Sequence, residues 1–370
     1  MKRTALFNNH VALGARMAEF AGWEMPIEYD GIVPEHLHTR SAVSIFDTCH
    51  MGEFDLCGAR AEADLERLVT QRVSTIAVGQ CRYGYLLNPD GGVLDDLTVF
   101  RRSADHFFLV VNAGTLESDA AWIQAHLSSG TTFTDLSPGR AKLDVQGPAS
   151  RTEMEKALGH ALPELKYFRF VDTVLGGLPC TLSRTGYTGE WGYEIYFSID
   201  EAVALWERLT ETTAIRPSGI GARDTLRLEV GYPLYGHELN SSMTPVAAAA
   251  GHFIDTEKEF IGREAVLRDL QDTGAGTLSG IQLESRRAAR EGSRVLIDGV
   301  ECGTVTSGKL APSLGVAVAM AYIDAASCVP GAAVQVEITG TRKSTLVPGS
   351  IVTLPFYKDG TARRRSNIRR

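Results

Sequence analysis

The sequence predicts a strand-rich α+β protein of more than one domain, and three observations carry that prediction. The chain is 370 residues long, against roughly 150 for an average domain, so about two or three domains are expected. Alternating apolar and polar residues dominate, with stretches of helical spacing set between them. The C-terminal part is a series of short, closely spaced strands joined by Gly and Pro, the pattern of a small β-barrel or sandwich.

Along the chain, an early segment runs to Gly52, and GEFDLCG then reads as a strand. In AEADLERLVT, Leu65, Leu68 and Val69 recur at helical spacing, which predicts an amphipathic helix over 61–70. RYGYLLNPDGGVLDDLTVF follows, two apolar runs flanking Asn88-Pro89-Asp90-Gly91-Gly92, a cluster with hairpin turn chemistry. A third run over 106–112 extends the hairpin into a meander, and 115–126 reads as a helix. After Thr131 come the strand segments LDVQGP, VDTVLGGLPCTL and RTGYTGEWGYEIYF, then helices over about 199–210 and 221–231. A Gly- and Asp-containing stretch over 272–280 separates these from GIQLE, RVLIDG, CGTVTSG, LGVAVAMAYI and AVQVEI, which places a domain boundary near 275.

Composition narrows the function classes. Hydrophobic residues at 44%, charged residues at 22%, 37 Gly and 14 Pro are ordinary for a globular protein and exclude a disordered or collagen-like chain. The formal net charge is −8, although Arg363, Arg364, Arg365, Arg369 and Arg370 crowd the C-terminus, so the body is more acidic still. Such a body argues against a duplex nucleic-acid reader, which must neutralise phosphates. The arginine tail could touch an acidic partner or be a solvated, frayed terminus, and no function is assigned to it. The chain offers no apolar run of the roughly 18 residues a membrane span requires, and MKRTALFNNHVALGARMAEF lacks the run of a signal peptide, so a cytoplasmic protein is expected. Cys49, Cys57, Cys81, Cys180, Cys302 and Cys328 are scattered, which implies reduced thiols and no metal site.

No Gly-x-Ser-x-Gly elbow, Walker loop or Gly-x-Gly-x-x-Gly turn appears, which removes the commonest hydrolase, nucleotide triphosphatase and dehydrogenase readings. Awkwardly placed carboxylates remain. On the second hairpin strand, alternation puts Val93, Asp95, Leu97 and Val99 on one face and Leu94, Asp96, Thr98 and Phe100 on the other. One Asp must then face apolar surface, where desolvation raises its pKa, unless both cap the turn amides. In RTGYTGEWGYEIYF, Glu190 lies in the Gly189–Gly192 turn and is expected to be exposed, whereas Glu194 lies on a strand beside aromatic surface. A strand carboxylate there suits a flat ligand edge bearing two parallel N–H groups, or it faces solvent. In GARDTLRLEVGYPLYGHEL, Arg223 and Arg227 share one helix face, for a buried partner or a surface ion pair. His36 and His38 are expected to pack or touch a partner rather than hold a metal.

Together and in this order, these segments resemble the T-protein family of the glycine cleavage system, the tetrahydrofolate-dependent aminomethyltransferases. The resemblance runs through nearly the whole chain: FAGWEMPIEYDGIVPEHLHTRSAVSIFDTCHMGEF, YLLNPDGGVLDDLTVF, LVVNAG, LDVQGP, SRTGYTGEWGYEIYF, GIGARDTLRLEVGYPLYGHEL, DTEKEFIGREAV, GTVTSGKLAPSLGVAVAMAYI and LPFYK. It implies a three-domain cloverleaf around a central folate channel, with two interleaved α+β domains and a C-terminal β-barrel. The units would be 1–52 plus 137–275, then 53–136, then 276–362, with a basic tail at 363–370.

The resemblance also implies roles. Asp95 matches the catalytic aspartate, Glu194 the carboxylate that holds the pterin's amino-pyrimidine edge, and Arg223 the arginine beside it. Met51, Tyr83, Val110, Asn112, Tyr167 and Tyr187 fall at or near pocket-lining positions, and Tyr357 matches a tyrosine that closes the pocket. Tetrahydrofolate would be the co-substrate and a lipoylated H-protein the partner, with ammonia and 5,10-methylenetetrahydrofolate the products and a monomer the expected state. A carboxylate near the attacking nitrogen could take its proton and stabilise developing positive charge. Two departures stand out. Where the family has Glu-Ala-Gly-Leu-Gly-Trp after Met-Thr-Pro, this chain has Val246 to Gly251 and His252, so Ala247 and His252 replace a carboxylate and an aromatic near the mouth. The arginine arm also extends past LPFYK beyond the family pattern.

Two other readings share the scaffold. A folate-dependent demethylase of a small methylated compound would yield methyl-folate in place of ammonia. A non-enzymatic folate-binding protein of iron–sulfur assembly would carry Lys-Gly-Cys-Tyr where this chain has Arg184-Thr185-Gly186-Tyr187, so the required thiol is missing.

Overall fold

The computed structural model describes residues 1–211, 214–272, 276–338 and 344–364. Within the expected separator, residues 273–275 lie outside the described residues, as do Arg365, Arg369 and Arg370 of the basic tail.

Two sheets and a barrel organise the α+β chain. A six-stranded sheet runs in the order Phe170–Leu175, Leu178–Ser183, Gly192–Ser198, Arg140–Gln146, Val43–Asp47, Ile215–Pro217. Its pairs are antiparallel apart from the last, which is parallel. A five-stranded antiparallel sheet has the order Gln80–Leu87, Val93–Arg101, His106–Val111, Gly52–Cys57, Thr132–Asp135. The closed six-stranded barrel joins Thr277–Leu283, Val316–Ile323, Val300–Ala311, Arg294–Ile297, Ala333–Ile338 and Thr345–Val352. Closure removes the free edges that so many short strands would otherwise present.

Each unit buries its own core: Leu143, Val145, Ile195 and Trp206 in the first, Phe54, Leu97, Val99 and Leu109 in the second, and Ile281, Val305, Ala319 and Val336 in the barrel. The two sheets meet through aromatic rings. Phe100 and Phe108 of the meander pack edge-on against Tyr196, at 5.5 Å and 5.3 Å between centroids. Such edge-to-face contacts stabilise by about 0.5–1.5 kcal/mol beyond their buried area.

One stretch packs elsewhere than the sequence division placed it. Leu239, Ala248, Phe260 and Val266 share a core with Tyr85, Leu87 and Val93, because their apolar side chains find partners on the meander rather than on the six-stranded sheet. The Val93 amide donates to the carbonyls of Asn240 and Met243, at 3.1 Å and 3.0 Å, which ties this stretch to the hairpin.

The helix Ile220–Glu229 is the wedge between units. Ala222 and Leu226 face Phe46 of the six-stranded sheet, whereas Leu228 packs on Val318 and Met320 of the barrel. Its charged residues occupy the remaining arc. That three-sided environment explains a helix buried almost throughout yet rich in charge.

Candidate functional site

A cavity of about 320 Å³ opens between the two sheets and the wedge helix. Of the ten residues to which the family resemblance gives catalytic or pocket roles, eight border it. Met51, Tyr83, Val110 and Asn112 come from the meander side, Tyr167, Tyr187 and Glu194 from the six-stranded sheet and its loops, and Arg223 from the helix.

The other two do not border the cavity. Tyr357 stacks under the Arg40 guanidinium at 4.2 Å, and its amide donates to the Glu229 carbonyl at 2.7 Å. Its ring is taken up by that cation at the foot of the wedge helix. Asp95 points to the opposite side of its strand, fully buried on the face of Leu97 and Val99. Asp96 is the acid that borders the cavity.

A bulge reshapes the strand just before the two acids. The register steps from Leu86 opposite Asp95 to Leu87 opposite Val93, leaving Leu94 as the extra residue. Val93 therefore turns to the face of Tyr85, and Leu94 joins Leu97 and Val99, the reverse of simple alternation for those two. From Asp95 onward the alternation holds.

Asp96 is held on both oxygens. The Tyr83 hydroxyl donates to Oδ2 at 2.9 Å and the Asn112 carboxamide Nδ2 to Oδ1 at 2.9 Å. Burial and then the neighbouring Asp95 push its pKa up to about 7, against the pull of those two donors. The acid is thereby poised to gain or lose a proton near neutrality.

Across the cavity lies an alternating charge cluster. Lys142 Nζ donates to Asp144 Oδ1 and Glu194 Oε1, both at 2.7 Å. Arg223 Nη1 donates to Asp144 Oδ2. Glu194 also accepts from the Thr185 hydroxyl and, at 3.0 Å, from the Tyr196 hydroxyl. Burial works to raise the Asp144 pKa, but Lys142 and Arg223 overcome it and hold the carboxylate ionised. Glu194, with its side chain 13% exposed, borders the cavity, and Lys142, Thr185 and Tyr196 leave about one of its roughly four acceptor sites open. Asp144 and Lys142 were missed in the sequence, although polar residues at 142, 144 and 146 alternating with Leu143 and Val145 in a strand buried on both faces were the available signal.

Arg227 also borders the cavity, paired with Glu238 at 2.9 Å and Asp224 at 2.9 Å. Phe253, directly after the departing 246–252 stretch, adds an aromatic wall, its ring centre 3.9 Å from that of His252 with the planes tilted by 42°. The exposed Arg363 borders the opening. His50, 5% exposed, has an Nδ1 without a partner and is kept neutral, its pKa pushed down to about 4 by burial.

Other charged candidates are structural. Glu190, expected to be exposed, is 2% exposed and pairs with Arg40 at 3.0 Å, because the turn that carries it folds under the C-terminal segment at Thr361. His36 is buried between Thr225, Glu229 and Ser313, and His38 bonds the Ala214 carbonyl at 3.2 Å. Among the described residues, Asp55, Cys57 and His106 bring three potential metal ligands within 4.8 Å of one another, outside the cavity. No described helix is long and apolar enough to cross a membrane.

Comparison with known proteins agrees with this architecture. Residues 6–258 match the GCVT N-terminal domain family, and residues 277–358 match the glycine cleavage T-protein C-terminal barrel domain. An aminomethyltransferase of Bacillus cytotoxicus is 38% identical over 365 residues, covering 97% of this chain and 98% of its own. One from Desulforamulus reducens is 38% identical over 362 residues. The crystal structure of glycine cleavage system aminomethyltransferase T from Bartonella henselae superposes with a TM-score of 0.91 at 33% identity, covering 97% of this chain and 99% of that one.

Proposed function

We propose a role for each side of this cavity, starting from the fact that the chain belongs to the glycine cleavage T-protein family. It is an aminomethyltransferase of the glycine cleavage system. In our reading it releases ammonia from an aminomethyl group carried by a lipoylated H-protein and forms 5,10-methylenetetrahydrofolate. Asp96 carries the chemistry, and Glu194 with Arg223 orients the co-substrate.

The residues present suit tetrahydrofolate, a flat heterocycle with N–H donors along one edge. Glu194 offers a carboxylate to such an edge, and Tyr83, Tyr167, Tyr187 and Phe253 offer ring faces or edges. When bound, that molecule supplies the nitrogens that accept the one-carbon unit. The protein's own work is binding, orientation and proton handling. Lys142, shared between Asp144 and Glu194, keeps Glu194 in place. Arg223 lies 5.1 Å from the Tyr187 ring centre, which fixes that wall. Asp96, held by Tyr83 and Asn112, presents its carboxyl group toward the cavity, where it can take a proton from an attacking amine and stabilise developing positive charge. An acidic lipoylated partner would meet positive potential at Arg363. We read the chain as acting as a monomer in the cytoplasm.

The observation that carries this reading is the facing of Asp96 and Glu194 across one aromatic-walled cavity. The test mixes the protein with tetrahydrofolate and aminomethyl-loaded H-protein and follows ammonia. We expect ammonia release, and a fall of about 10²–10⁴-fold in Asp96→Asn, with the thermal unfolding midpoint nearly unchanged. Near-normal turnover in that variant, or formation of methyl-folate without ammonia, would overturn the assignment.

A further inference from the structure

Behind Asp96 stands a second acid pair that the reaction has not yet used. Asp95 accepts two hydrogen bonds from Asn112, from its amide to Oδ2 at 2.9 Å and from its Nδ2 to Oδ1 at 2.9 Å. Its carboxyl group also meets that of Asp119 on the helix Leu116–Ala125. Both acids are buried, Asp95 at 0% exposure and Asp119 at 1%, and Asp119 Oδ2 has no donor. Among the described residues, no Lys, Arg or His is hydrogen-bonded or ion-paired to Asp95, Asp96 or Asp119. The titratable groups facing the pair are Asp96 on the same strand and Tyr235 on the stretch after the wedge helix. Two buried carboxyl groups in contact, without a cation, cannot both be ionised.

We propose that Asp95 and Asp119 hold one proton between them and act as the positioning pair of the site, fixing the Asn112 carboxamide so that its Nδ2 also reaches Asp96 Oδ1. The proposal rests on the reading of Asp96 given above. Burial comes first, and then the proximity of the two acids, in pushing the Asp95 carboxyl up, the direction a retained proton requires. With one proton shared, the pair bears one negative charge. That charge helps lift Asp96 toward neutrality, and Asn112 transmits the pair's orientation by donating to both acids. Loss of the shared proton would leave two facing carboxylates that repel each other and release the Asn112 carboxamide from its fixed orientation on Asp96, so transfer should decline at alkaline pH.

Asp119→Asn supplies an N–H where the shared proton lies and cannot titrate. The first readout is independent of activity. The unfolded chain holds no carboxyl proton above about pH 5, whereas the folded parent keeps one on the pair. The folding equilibrium constant of the parent should therefore fall with rising pH more steeply than that of Asp119→Asn, by about tenfold per pH unit. Equal slopes in urea titrations across that range would overturn the shared proton. On the parent alone, infrared spectroscopy at about pH 8.5, where Asp96 is mostly ionised, should still show a protonated-carboxyl C=O band. Its absence would overturn the proposal even if the variant did not fold. The second readout is the pH–rate profile of aminomethyl transfer. Its alkaline limb should be displaced upward or lost in Asp119→Asn. An unchanged limb beside a changed linkage would overturn the positioning role. Absence of transfer in the parent would count against the functional reading, while the infrared band and urea slopes would still decide the shared proton.

Discussion

Placing a carboxyl group beside another one in a buried strand costs free energy, and Asp96 retains its place through the Tyr83 hydroxyl and the Asn112 carboxamide. Glu194 is held in a different way, by the Lys142 ammonium and two hydroxyls. The consequence is testable in Glu194→Gln, which keeps the shape but removes the charge that recognises N–H donors. Tetrahydrofolate affinity should weaken by about 10- to 100-fold, the loss of one charge-assisted hydrogen bond, as read by fluorescence titration. An unchanged dissociation constant would remove Glu194 from recognition. Spacing alone left Glu194 between a ligand edge and solvent, and Arg223 between a buried partner and a surface ion pair; the family resemblance made both legible. The choice between Asp95 and Asp96 was not legible, since adjacent acids on one strand are symmetric until the burial of each face is known. Lys142 and Asp144 escaped because two opposite charges two apart on a strand look like a surface pair until both faces are covered.

At the scale of elements, the hairpin sets which acid faces the cavity. Gly91 adopts φ +82° in its turn, and Asn88 Oδ1 accepts the Gly92 amide at 2.9 Å. Gly92 runs against the carbonyl of Ser241, so a Cβ there would lie 1.9 Å from that oxygen. Gly92→Ala should therefore destabilise by about 1–3 kcal/mol, measured by urea unfolding, because a backbone carbonyl cannot swing away as a side chain can. A loss below the error of the measurement would show that the 239–266 stretch yields freely. The turn and both strands were readable from Asn-Pro-Asp-Gly-Gly between apolar runs. The bulge at Leu94 was not, because it arises from pairing with Leu86 and Leu87 and has no local signature. The wedge helix was readable as a helix, but its three-sided burial depends on two sheets and a barrel brought together from distant parts of the chain.

For the whole molecule, the cavity lies between the two sheets, and the helix that borders it is packed in turn against the barrel. Barrel residues complete the buried polar network: Ser307 accepts from Arg227 at 2.9 Å, Thr306 donates to Glu238 at 2.6 Å, and Ser313 contacts His36 at 2.9 Å. Buried charges satisfied across units favour one mutual arrangement. The barrel was legible from closely spaced strands and turn residues, whereas the path of 239–266 over the meander was not, since apolar residues do not announce which sheet they will cover. Tyr357 illustrates the same limit: proximity to the barrel's end was evident, but the Arg40 guanidinium that captures its ring comes from a helix near the opposite terminus. The most direct test of the account is a crystal structure with tetrahydrofolate bound. Glu194 should then lie within hydrogen-bond distance of the heterocycle's N–H edge and Asp96 should face its reactive nitrogens, with Asp95 out of contact behind the strand. A ligand held outside this cavity, or one touched by Asp95 and not by Asp96, would contradict it.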